Sequence, residues 1–114
     1  MATIYKICPQ ALWREAEGDG WWRGAPVDLR DGYIHFSTAA QLAETAARHF
    51  AGQADLLLIA VDADRLGPAL VWEVSRGGDR FPHLYGELPL TAVERVMPMP
   101  LGDDGRHRLP ELAT

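Results

Sequence analysis

Residues 31–41, DGYIHFSTAAQ, change their hydrophobic period partway along. Tyr33, His35 and Ser37 alternate with Ile34 and Phe36, the period of two expected of a half-buried strand, so the apolar pair enters a core and His35 turns away from it. Thr38 then stands three residues before Gln41, the spacing of a capping box. AAQLAETAARHFAG (39–52) continues with Leu42, Ala46 and Phe50 at helical period until Gly52. A strand that runs straight into a capped helix requires a mixed α and β fold.

Upstream, TIYKI (3–7) alternates β-branched and aromatic residues and reads as a first strand. Pro9 suits the first turn of a short amphipathic helix in QALWREAEG (10–18), stopped by Gly18 and Gly20. DGWWRGAPVDLRDG (19–32), interrupted by Gly and Pro, reads as a long loop in which Trp21 and Trp22 cover an edge of the core.

Downstream, ADLLLIAVDAD (54–64) has the unbroken apolar run of a strand buried on both faces, which places it centrally in the sheet. ALVWEVS (69–75) is a further strand and SRGGDR (75–80) a flexible glycine loop. HLYGEL (83–88) and AVERVMPM (92–99) are the last strands, and 101–114 form a polar tail. The order predicts a single α+β domain over 1–114 with its core at about 3–98. The later strands pair largely antiparallel, with two main helices packed against one side.

The 114 residues are 47% hydrophobic and 24% charged, the composition of a chain that folds around its own core. Formal net charge is -5 and no Lys/Arg run occurs, which argues against duplex DNA as a partner but leaves room for a small molecule or nucleotide in a local basic pocket. Cys8 is the only cysteine, so an intramolecular disulfide and a multi-cysteine zinc site are excluded. No stretch approaches the ~20 apolar residues needed to cross a bilayer, and the N-terminus lacks a secretory apolar core. The cytoplasm is the expected location.

In FPHLYGEL (81–88), the same alternation sets Phe81, His83, Tyr85 and Glu87 on one face. If this strand lies beside that of Tyr33 and His35, two imidazoles and two phenols form one polar patch, suited to stacking and hydrogen bonding with a base or nicotinamide. Glu73, among strong strand formers, is either an exposed or salt-bridged carboxylate or the group that orients one of the histidines. His49 and His107 read as structural or solvent-exposed. A metal site from His35, His83 and Glu73 or Glu87 is chemically possible but lacks the HExxH spacing, so an organic ligand ranks above it and no metal is expected.

Together IYKI (4–7), DGYIHFST (31–38), AARHFAGQADLLLIAVD (46–62) and WEVSRGGDRFPHLYGEL (72–88) resemble a widespread bacterial family of unknown function, number 952 in its series. That family is similar to the ADP-ribosyltransferase-like superfamily, which implies a split sheet binding NAD in a cleft. It also resembles the RNA 2'-phosphotransferases, in which a strand ending in His, an apolar residue and Ser lines the NAD site, as Ile34-His35-Phe36-Ser37 does here. The resemblance implies NAD as cofactor, with Lys6, Tyr33, Ser37, Arg30 and Arg80 as binding residues. It further implies His35, His83, Tyr85 and Glu73 or Glu87 as catalytic residues of a transferase, with Lys6 at the first-motif position usually held by His or Arg. A non-catalytic ligand-binding module and a two-histidine metal enzyme are the competing readings.

Overall fold

Leu56–Asp62 is the strand around which the chain is built, and every one of its residues is buried. The computed structural model describes residues 2–112. In chain order the elements are β1 (Thr3–Pro9), α1 (Gln10–Asp19), β2 (Trp21–Trp22), α2 (Pro26–Asp31), β3 (Ile34–His35), α3 (Leu42–His49), β4 (Leu56–Asp62), β5 (Leu70–Val74), β6 (Arg80–Leu84), β7 (Leu88–Pro89) and β8 (Val93–Met99). They form an α+β domain whose strand pairs are all antiparallel: a three-stranded sheet β1-β4-β8, a second one β3-β6-β5, and the short pair β2-β7. Among the described residues no helix is long and apolar enough to cross a membrane.

The apolar run of β4 explains the layering. Leu57, Ile59 and Val61 face one cluster with Trp13 and Ala16 of α1 and with Ile34, Phe36 and Leu84 of the second sheet. Leu56, Leu58 and Ala60 face the other cluster, with Leu42 and Ala46 of α3 and Met97 and Met99 of β8. The expectation that the helices share one side is therefore corrected: α1 and α3 cover opposite faces, because alternate side chains of an all-apolar strand leave on opposite sides and both must be kept from water.

Three further expectations change. The segment 19–32 is not a loop throughout, since Trp21–Trp22 pairs with β7 and Pro26–Asp31 is helical. Trp22 is buried edge-on against Trp13 at 6.0 Å between centroids, while Trp21 stays exposed. The strand expected over 83–88 ends at Leu84. The chain bends at 85–87 and resumes as β7, so Glu87 does not continue the row of His83.

Nor do residues 101–112 form a free tail; the last two residues of the expected tail, 113 and 114, lie outside the described residues. Leu101 pairs with His107, His107 Nε2 lies 2.7 Å from the Gln53 carbonyl oxygen, and Leu109 and Leu112 pack on the α3 side of the core.

The capping residue does its expected work: the Thr38 N–H donates to Gln41 Oε1 at 2.9 Å, starting the 3-10 turn Ala39–Gln41 that leads into α3. Gly77 and Gly78, both at positive φ, close the turn between β5 and β6. Replacing Leu109 and Leu112 together by Ala is expected to lower unfolding stability by about 1–3 kcal/mol, because each removes apolar cover from the second core. A urea midpoint equal to that of the parent would show that the C-terminal segment adds nothing to the fold.

Candidate functional site

His35 and His83 are direct cross-strand partners. β3 pairs with β6 in the register Ile34↔Leu84 and His35↔His83, so Ile34 and Leu84 both turn into the core while the two imidazoles share the opposite face. Tyr33 stacks on His83 at 4.1 Å between ring centroids, with 29° between planes, and lies 4.5 Å from His35 and 5.1 Å from Tyr85. The two imidazoles and two phenols thus form one cluster. Such offset rings present both π-faces and polar edges to a ligand.

A cavity of about 520 Å³ opens beside this cluster. Of the residues singled out in the sequence, Lys6, Arg30, Tyr33, His35, Ser37 and His83 line it. Arg80 does not; the placed contact of that residue is its carbonyl, which accepts from Gln41 Nε2. Glu87 is also absent from the wall and forms an exposed ion pair with Arg23 at 2.6 Å. The physical reason is the bend at 85–87, which breaks the alternation that would have kept Glu87 on His83's face. His49, read as structural or exposed, is exposed and belongs to the cavity wall.

The residue that sequence reasoning missed is Asp28, a carboxylate only 2% exposed. It accepts from four donors. Oδ1 takes Lys6 Nζ at 3.0 Å, the His35 backbone N–H at 3.1 Å and lies 2.6 Å from His35 Nδ1, while Oδ2 takes the Ala25 N–H at 2.8 Å. Burial works to raise its carboxyl, but the hydrogen bond from His35, the Lys6 charge and the two backbone N–H groups outweigh it and hold Asp28 below the ordinary carboxylate range. Burial in turn lowers Lys6, opposed by the charge and hydrogen bond of Asp28. The lysine stands on the core face of β1 between Ile4 and Cys8, where only a carboxylate can compensate it. Gly24 makes this possible, since a Cβ there would stand 2.7 Å from Asp28 Cβ. The available signal was Pro26 followed two residues later by an acid, a helix-start pattern.

The two histidines differ in their partners. His35 Nε2 lies 3.0 Å from Asp31 Oδ2, so with Nδ1 on Asp28 both of its ring nitrogens face carboxylates, an arrangement that uses both donors of a protonated ring. His83 Nδ1 lies 2.7 Å from Glu73 Oε1, the same oxygen that accepts from Tyr85 Oη at 2.7 Å. Those two hydrogen bonds, Tyr85 first, lower Glu73, and the reciprocal contact pushes the Tyr85 hydroxyl up to about 12. Glu73 therefore lies against His83, one of the two histidines it was weighed against in the sequence. Ser37 Oγ is 3.0 Å from Thr45 Oγ1. Cys8 is buried, and burial pushes its thiol up to about 12, which removes it as a nucleophile. Among the described residues no three His, Cys, Asp or Glu side chains are arranged to hold a metal ion.

Residues 7–96 match the family described as "Protein of unknown function (DUF952)". The chain is also similar to protein CC0527 from Caulobacter crescentus. Its crystal structure is 49% identical, with a TM-score of 0.90 and 93% of each chain covered. The solution NMR structure of the same protein is 50% identical, with a TM-score of 0.83 over 93% of this chain and 91% of that one. No curated protein matches the chain.

Asp28→Asn is expected to cost about 3–5 kcal/mol of stability, since it strands a buried lysine. Because Asp28's folded-state value lies below its unfolded one, its contribution is complete above the ordinary carboxylate range and is lost as pH falls through the depressed value. Urea midpoints of the parent should drop on acidification below about pH 4, and those of Asp28→Asn should drop less. Parallel profiles for the two proteins would remove Asp28 from the acid response.

Proposed function

The chain belongs to the DUF952 family of proteins of unknown function, and from that premise we propose that the cavity beside His35 and His83 binds NAD or a related nucleotide and supports ADP-ribosyl transfer. The observation that carries this reading is the Tyr33–His83 stack at 4.1 Å on the wall of a cavity of about 520 Å³, within the roughly 300–1,000 Å³ span of small-ligand sites. A planar base or nicotinamide ring finds aromatic partners there, and Arg30 supplies positive charge for a diphosphate. The resemblance of Ile34-His35-Phe36-Ser37 to an NAD-lining strand supports the same ligand, as does a sheet divided into two three-stranded parts.

On this reading Asp31 and His35 act as a pair toward the ribose. Both nitrogens of His35 are occupied by carboxylates, so a ribose hydroxyl binds by displacing or bridging the half-exposed Asp31. His35 then contributes a positioned ring N–H, and Asp31 an acceptor.

A second reading, a nucleotide-binding module without turnover, draws on one observation. Glu87, the carboxylate that the last-strand motif would supply, pairs with Arg23 and is not on the cavity wall. Transfer then needs a different group to manage the acceptor's proton.

Titration of NAD and ADP-ribose by calorimetry, with released nicotinamide assayed in each mixture, separates the readings. Saturable binding weakened by about two- to tenfold in Tyr33→Ala is expected, that being the size of effect one lost aromatic stack produces. Folded parent protein that takes up neither compound would end the nucleotide reading.

A further inference from the structure

The geometry points to His83 as the general base of the site, accepting at Nε2 the proton of an O–H nucleophile, with Glu73 as its positioning residue. This rests on the nucleotide reading for its substrate and departs from it in giving the two histidines different work.

Equivalent by register, the histidines differ in what their ring nitrogens can still do. In His35 Nδ1 and Nε2 both face carboxylates, at 2.6 and 3.0 Å, so neither nitrogen is open to a nucleophile without displacing a carboxylate. In His83 only Nδ1 is held, by Glu73 at 2.7 Å. A carboxylate accepts, so Nδ1 carries the proton and Nε2 keeps its lone pair in the neutral ring. Nε2 has no hydrogen-bond partner among the described residues, and it is not among the side-chain atoms that are both sealed from solvent and unpartnered. The residue is buried but lines the cavity.

Glu73 is in turn fixed by the Tyr85 hydroxyl on the same oxygen, and Tyr33 stacks on the His83 ring. Base, orienting carboxylate and the group orienting that carboxylate thus form one chain from Tyr85 through Glu73 to His83, the order in which a positioned imidazole is built.

The step balances without a redox partner. As the acceptor oxygen bonds to C1' of the nicotinamide ribose, the C–N glycosidic bond breaks and its electron pair leaves with neutral nicotinamide. The acceptor's proton passes to His83 Nε2, and the imidazolium so formed is stabilised by Glu73. Water as acceptor gives free ADP-ribose and a hydroxyl compound gives its conjugate, so the product identifies which oxygen nucleophile is used.

The test combines binding, turnover and a chemical probe that needs no nucleotide. His83→Gln is expected, at saturating NAD, to release nicotinamide at least about a hundredfold more slowly than the parent, so that the loss falls on kcat and not on the ring's stacking contribution to binding. Glu73→Gln, on a partly exposed side chain and so a safeguard should His83→Gln misfold, is expected to lose about tenfold. It should also move the acidic limb of kcat to lower pH, because the carboxylate no longer favours the protonated ring; a merely structural role would leave the limb in place. Diethyl pyrocarbonate, mapped by mass spectrometry, is expected to acylate His83 at least about tenfold faster than His35, with NAD protecting His83.

Turnover within about threefold of the parent in His83→Gln, equal acylation of the two histidines, or NAD binding by the parent without nicotinamide release each overturns the assignment. Preferential acylation of His83 by a protein that does not bind NAD sinks the nucleotide reading alone and leaves the base in place for another substrate.

Discussion

The Asp28 carboxylate is the constraint on which the site depends. Three segments meet at its two oxygens: Lys6 from β1, Ala25 at the start of α2, and His35 of β3 through both backbone and ring. Without it Lys6 would be an unpaired cation on the core face of β1, a state that costs several kcal/mol or forces deprotonation. With it, the lysine becomes the tie that fixes α2 against the first sheet. The orientation of His35 follows, since the oxygen that takes its ring nitrogen also takes its backbone N–H.

That tie accounts for the asymmetry of two histidines that the register makes equivalent. Every donor of His35 is turned toward α2, whereas His83, one strand further from Asp28, meets only the carboxylate of β5 and keeps one ring nitrogen unpartnered among the described residues. The register alone would make the two rings equivalent; their carboxylate partners are what distinguish them.

The parts of this that were legible in the sequence are those with a local period. Alternation in 33–37 and 81–85 put the two histidines and two tyrosines on polar faces, and the unbroken run of 56–61 identified the central strand. The same run already demanded cover on both faces, so the expectation of helices on one side conflicted with a feature that had been read correctly. Asp28 and the fate of Glu87 were not legible for a different reason. Both depend on where the chain turns, at Gly24-Ala25-Pro26 and at 85–87. A carboxylate in a Gly- and Pro-interrupted segment gives no periodic sign of being buried; only its later partners reveal it. Conversely, extending the alternation of β6 past Leu84 carried Glu87 onto a face that the chain has left.

The position of the cavity follows from the same switch between sheets. After His35 the chain stays beside β6 for one more bond, Phe36 N–H to the Pro82 carbonyl at 3.0 Å. It then crosses to the first sheet, where Ser37 exchanges two backbone hydrogen bonds with Tyr5, at 2.8 and 2.9 Å. A segment that bridges two sheets holds them together at one point and lets them diverge on either side. Its core-facing residues, Ile34 and Phe36, fill the divergence on one side with apolar packing. Tyr33, His35 and Ser37 face the other, where residues of α2 and α3 complete the cavity wall. The polar residues this strand places on the cavity wall and the split in the sheet are thus two consequences of one short strand: its period of two decides what points into the gap, and its change of partner decides that there is a gap at all.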